Sequence, residues 1–204
     1  MPKRSLREKL LAARRHLSTE TCLHLSVLIQ TRFLDSAVYR QAQRLGLYSP
    51  VLNEVHTEMV ARRALADGKR LVYPRVQGAQ LEFVELPTLD ALAPGTFGIA
   101  EPTGDRLVPL AELDLLVLPG VGFDLAGYRL GFGKGFYDRA LAGAPPALVR
   151  VGFAYEFQVT GQLPVAAHDC RLTLLVTEQR MFRCPSEEGP ADLNSIPRRG
   201  GAEC

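Results

Sequence analysis

The chain of 204 residues has no tryptophan, three methionines and four cysteines. Cys22, Cys170, Cys184 and Cys204 are scattered, with no C-x-x-C pair, so neither zinc nor a dithiol motif is indicated. Sparse cysteines suit a reduced intracellular protein, and Cys22 reads as a small apolar residue on a helix. Charge of one sign is also missing. The 24 Lys and Arg against 22 Asp and Glu leave a net charge of +2, so no overall basic field argues for nucleic acid. No apolar run approaches the length of a membrane span. The N-terminus, MPKRSLREKLLAARRHL, holds no apolar block of the secretory kind. It is basic and amphipathic like a mitochondrial transit segment, yet it reads better as a folded first helix. The expected location is cytoplasmic, with mitochondrial as the alternative.

Apolar residues make up 47% of the chain, enough for one domain with its own core. The first helix is expected over Lys3–Leu17, with Leu6, Leu10, Ala13 and Leu17 as its buried stripe and Lys3, Arg7 and Arg14 on a neighbouring one. Ser18 or Thr19 can cap a second helix whose core side is Leu23, Val27, Leu28 and Phe33. Strands are expected at Arg44–Tyr48, at Lys69–Tyr73 (ended by Pro74), at Leu81–Leu86, at Leu113–Leu118, at Ala147–Phe153 and at Leu172–Thr177. Further helices fall at Thr57–Ala66 and Gly135–Leu141, and Leu89–Val108 reads as a long irregular connection. Strands alternating with helices give an α/β fold: three α/β/α layers around a largely parallel, Rossmann-like sheet. Residues 1–182 form the domain, and the Pro-, Gly- and charge-rich stretch 183–204 is expected to be a disordered tail.

The densest signal is LPGVGFDLAGYRLGFGKGFYDRAL, Leu118 to Leu141. Gly131, Gly133 and Gly135 alternate, Lys134 sits between two of them, and Arg129, Tyr137 and Asp138 flank them. Without Cβ atoms the backbone can approach a ligand closely. Free N–H groups ahead of a helix cradle an anion. A glycine-rich loop is often only a turn, and this spacing is neither the P-loop nor the dinucleotide fingerprint. Two cations, a tyrosine and an aspartate within ten residues of the loop are more than a turn needs. The set suggests a nucleotide phosphate site.

Four segments resemble the 5-formyltetrahydrofolate cyclo-ligase (5,10-methenyltetrahydrofolate synthetase) family. They are Lys3-x-x-Leu6-Arg7 with Arg14 or Arg15 and Leu17-Ser18; Tyr48 with Glu54-Val55-x-Thr57; the block from Pro119 to Asp138; and Leu163-Pro164 through His168-Asp169. The third is highly specific. The resemblance implies ATP- and Mg²⁺-dependent closure of 5-formyltetrahydrofolate to the 5,10-methenyl form, with release of ADP and phosphate through an iminium phosphate. It implies ATP contacts at Lys3, Arg7, Arg129, Gly131, Gly133, Lys134, Gly135, Phe136 and Tyr137, with Arg129 and Lys134 as catalytic cations. It implies folate contacts at Ser49, Glu54, Phe132, Gly133, Lys134, Gly135 and Phe136, and Mg²⁺ ligands at Asp138 and Asp169. Phe132 and Phe136 stand where tyrosine is frequent in bacterial relatives, so a hydroxyl is lost while an aromatic wall can remain. His56 receives no role, and His168 is read as either orienting Asp169 or capping a loop. The implied partners are small molecules, with no nucleic acid and no membrane, and the chain is expected to be a monomer. A related ATP-dependent enzyme acting on another acylated amine, a non-catalytic nucleotide or folate sensor, and a sugar-phosphate-binding protein are the alternatives.

Overall fold

The computed structural model describes residues 2–166 and 169–185. His168 and most of the expected tail lie outside the described residues. Helix α1 spans Lys3–Arg15 behind Pro2, whose fixed φ suits a helix start. Helix α2, Thr19–Leu34, is capped by Ser18, whose hydroxyl accepts from the Thr21 N–H at 3.1 Å. Then follow α3 (Ala37–Gln41), β1 (Arg44–Gly46), α4 (Glu58–Ala66), β2 (Arg70–Gln77) and β3 (Gln80–Leu86). The connection after β3 holds a small hairpin of β4 (Leu92–Pro94) and β5 (Ala100–Pro102) between single helical turns. The second half comprises β6 (Leu115–Leu118), β7 (Gly122–Asp124), β8 (Arg129–Leu130), α5 (Phe136–Leu141), β9 (Val149–Phe153), β10 (Val159–Thr160), β11 (Leu174–Val176) and β12 (Met181–Arg183).

Seven strands form the main sheet in the order β12-β11-β9-β6-β1-β2-β3. The five inner strands are parallel, and an antiparallel strand closes each edge. Strand β6 is central and buried along its whole length, as its continuous Leu-Leu-Val-Leu run requires. Leu115 and Val117 face the core under α2, α3 and α4, while Leu116 and Leu118 face the one that includes Leu141 of α5 and Phe123 of β7. The second face is only partly helical: a separate three-stranded sheet, β10-β7-β8, contributes to it. Among the described residues no helix is long and apolar enough to cross a membrane.

Several expectations need correction. On α2, Leu23, Val27 and Leu28 are exposed, while Cys22, Ser26, Ile29, Gln30 and Phe33 are buried. The polar pair is buried because it has partners: the Ser26 hydroxyl accepts from the His56 N–H, and the Gln30 carboxamide oxygen accepts from the Val60 N–H. On α1, Ala13 is exposed and Arg14 is buried beside Leu10. Strand β2 does not stop at Pro74. The Val72 carbonyl accepts from Leu47, so the even-numbered residues of β2 point toward β1, whose pairing ends at Val72. Pro74 therefore removes no ladder bond, and β2 continues against β3 to Gln77. The boundary at Phe182 falls inside β12, and Cys184 beyond it is buried.

Candidate active site

The connections leave β1 and β6, which lie side by side, in opposite directions: β1 leads to β2, and β6 leads to β9. Such a switch point opens a crevice beyond the carboxyl ends of the two strands. Here it is a cleft of about 800 Å³. It brings together every expected site residue: Lys3 and Arg7 from α1, Ser49 and Glu54 from the loop after β1, Arg129 on β8, Gly131 to Gly135 in the glycine loop, Phe136, Tyr137 and Asp138 on α5, and Asp169.

The glycine loop is held from outside. Arg7 Nε donates to the Gly131 carbonyl at 2.8 Å, and Arg139 Nη1 donates to the Lys134 carbonyl at 2.9 Å. Gly133 and Gly135 adopt φ of +100° and +68°, which side-chain-bearing residues rarely reach. Among the described residues none accepts a hydrogen bond from the backbone N–H groups of Gly131 to Gly135. The loop lines a cleft that also holds Lys3, Arg7, Arg129 and Lys134, an arrangement suited to a polyanion.

A second part of the cleft is organised around a buried carboxylate. Leu52 and Asn53 both take left-handed φ, 50° and 58°, without being glycine. The Asn53 side-chain amide secures this turn by donating to the Arg14 and Leu17 carbonyls at the end of α1. Glu54 follows, 4% exposed; its Oε2 accepts from the Val51 N–H at 3.1 Å, and its Oε1 has no hydrogen-bond partner among the described residues. Burial pushes the Glu54 carboxyl up to about 7, against the opposing pull of Arg14, the Val51 N–H and Arg129. Arg14 Nη1 lies 3.8 Å from Oε1. Burial lowers the Arg14 guanidinium as well, so desolvation outweighs attraction for both partners.

Two parts of the site were missed in the sequence. Phe97, Ile99 and Glu101 of the β4–β5 hairpin line the cleft, and Lys134 Nζ sits 3.5 Å from the Phe97 ring centroid. The Gly-Thr-Phe-Gly run at Gly95–Gly98 was the available signal for a turn projecting an aromatic side chain. Arg14 is the second part: in the sequence it is one cation of a basic helix stripe, with no neighbour that marks a role.

The expected metal ligands are engaged with expected nucleotide cations. Asp138 Oδ1 accepts from Arg129 Nη2, and Asp169 Oδ2 from Lys3 Nζ, each at 2.8 Å. Among the described residues no group of three or more His, Cys, Asp or Glu side chains converges on a metal position. Two carboxylates on one cleft, each already balancing a positive charge, fit a hard divalent ion that takes its other oxygens from phosphate and water.

Comparison with known proteins identifies the family. The profile of the 5-formyltetrahydrofolate cyclo-ligase family matches residues 1–178. The mouse 5-formyltetrahydrofolate cyclo-ligase is 32% identical over 189 residues, covering 86% of this chain and 93% of the mouse protein. The NMR structure of Aquifex aeolicus 5,10-methenyltetrahydrofolate synthetase superposes with a TM-score of 0.83 at 35% identity, covering 94% of this chain and 97% of the other. The 5,10-methenyltetrahydrofolate synthetase structure from Mycoplasma pneumoniae gives 0.71 at 28% identity, over 87% and 99% of the two chains. The chain is an enzyme, and it belongs to the 5-formyltetrahydrofolate cyclo-ligase family.

Proposed function

We propose that this protein uses ATP and Mg²⁺ to close 5-formyltetrahydrofolate to 5,10-methenyltetrahydrofolate, and that the two ends of the cleft divide the work. The observation that carries the reading is the glycine loop: N–H groups without acceptors among the described residues, sharing a cleft with four cations and a buried carboxylate. The formyl oxygen is a poor leaving group until it is phosphorylated. The formyl oxygen attacks the γ-phosphorus, the bond to ADP breaks, and an iminium phosphate forms. The N10 lone pair then attacks the formyl carbon, the C–O bond breaks with phosphate as leaving group, and the N10 proton is lost.

The chain's own part is positioning and charge stabilisation. Lys3, Arg7, Arg129, Lys134, Phe136, Tyr137 and the loop glycines bind the nucleotide, and Arg129 and Lys134 offset charge on the transferred phosphoryl group. Asp138 and Asp169 would hold Mg²⁺, which supplies charge neutralisation at the phosphate oxygens. Glu54 accepts from the pterin's amino group and ring N–H, and Ser49, Phe132 and Phe136 complete that pocket. The reading is of a monomer in the cytoplasm that acts on small molecules. Measuring ADP release with and without 5-formyltetrahydrofolate tests this. ADP formed only with the folate supports coupled chemistry, and folate-independent or absent release contradicts it.

A further inference from the structure

We propose that Arg14 is a positioning residue for the folate end of the cleft, holding Glu54 ionised and fixed with one oxygen left for the substrate. This rests on the reading of Glu54 as the pterin contact. Arg14 is 1% exposed and is not among the residues that line the cleft, so it acts from behind the wall. Its Nε donates to the Leu52 carbonyl at 2.9 Å and its Nη1 to the Gly120 carbonyl at 3.0 Å. The guanidinium also lies 5.5 Å from the Phe132 ring centroid. One side chain thereby joins α1 to the loop after β1, the loop after β6 and an aromatic residue of the glycine loop.

A clamp for two carbonyls would need only neutral donors. Arg14 brings a full charge, and Glu54, 3.8 Å away, is the carboxylate with which it is paired. Arg14 Nη2 and Glu54 Oε1 are both buried without hydrogen-bond partners among the described residues, so the pair is poised rather than closed on itself. The other groups facing Glu54 are Arg129, Tyr48 and Tyr137. Arg129 is bound to Asp138, and the tyrosines carry no positive charge. A guanidinium does not lose its proton in a protein, so Arg14 is a permanent counter-charge. Without it the buried carboxyl protonates more readily and offers a donor where the pterin edge also offers donors.

The test is 5-formyltetrahydrofolate binding to the full chain without ATP, followed by calorimetry from about pH 5.5 to about pH 9.5. Glu54 must be ionised to accept, so binding is complete above its pKa and lost as pH falls through it. The parent midpoint is expected near 7. Arg14→Gln is expected to move the midpoint up by at least about one unit, which is about ten-fold weaker binding on the acid side. The difference should shrink as pH rises, and Arg14→Lys should return the midpoint toward the parent's. Should Arg14→Gln not fold, Arg14→Met, which keeps the apolar stem, is read in the same way. A loss equal at every pH, or a profile that superimposes on the parent's, overturns the proposal and leaves Arg14 a clamp. Glu54→Gln separates the two claims. If it leaves folate binding intact, the reading of Glu54 fails. If it abolishes binding while Arg14→Gln leaves the midpoint in place, only the proposal for Arg14 fails.

Discussion

Arg129 on β8 and Asp138 on α5 form an ion pair, Nη2 to Oδ1 at 2.8 Å, that ties together the strand entering the glycine loop and the helix leaving it. A residue assigned to the phosphates thus rests on a residue assigned to the metal. Binding of a metal–nucleotide pair would exchange these partners, freeing the guanidinium for phosphate and the carboxylate for the ion.

Replacing Asp138 with Asn should therefore lower turnover by at least about 100-fold while the protein still folds, because the carboxylate is partly exposed and not part of the core. The check is initial rate across a Mg²⁺ titration, with circular dichroism as the folding control. Identical titrations for variant and parent would remove Asp138 from the metal site.

The double variant Lys3→Ala with Arg7→Ala should raise the KM for ATP by about ten-fold or more, since two charge-assisted contacts are lost. The folate KM should barely move. Lys3 reaches Asp169 and Arg7 reaches the glycine loop, the residues proposed to face the nucleotide. A selective loss of folate affinity would assign α1 to the wrong substrate.

Gly133→Ala places a Cβ on a residue at φ +100°, 3.4 Å from Arg7 Nη2. Left-handed backbone costs an L-residue about 1–2 kcal/mol, so the melting temperature should fall by roughly 2–8 °C, with a raised KM for ATP. Gly143→Ala is the control, with ordinary φ and no atom within 4 Å of the added carbon. Equal melting temperatures for the two variants would show that the loop relaxes freely.

Phe97→Ala should raise the folate KM about five-fold, the loss of one aromatic contact of roughly 1 kcal/mol. Thermal stability should be unchanged, because the side chain is 63% exposed. An unchanged KM would mean that the hairpin tip does not reach the bound substrate.

The elements carrying the site were legible where one residue type does one job. The run Leu115–Leu118 is apolar without alternation because β6 is buried on both faces. The glycines of the loop and Glu54 after β1 stand at the strand ends where the switch point opens. Legibility failed where a polar side chain is buried by a distant partner. Ser26 and Gln30 occupy the inner face of α2 through bonds to His56 and Val60, which no helical periodicity reveals. Arg14 is hidden for the same reason: its partners are Leu52, Gly120 and Glu54, far along the chain. The β7–β8 hairpin escaped because its strands are two or three residues long. Buried Asp124 braces its turn, accepting from the Tyr128 and Leu163 N–H groups, beside Gly127, where a Cβ would lie 2.9 Å from the Leu172 carbonyl. The conspicuous Asp-x-x-Gly of the glycine-rich block therefore serves the fold, while the glycines after it serve the cleft.

The most direct measurement is absorbance of the methenyl product in the near ultraviolet, with purified protein, 5-formyltetrahydrofolate, ATP and Mg²⁺. The band should grow only when all three are supplied, and should be lost with Glu54→Gln or Asp138→Asn. Folded protein that binds ATP and forms no methenyl product, or that forms it without ATP, would contradict the division of the cleft into a phosphoryl-transfer end and a folate end.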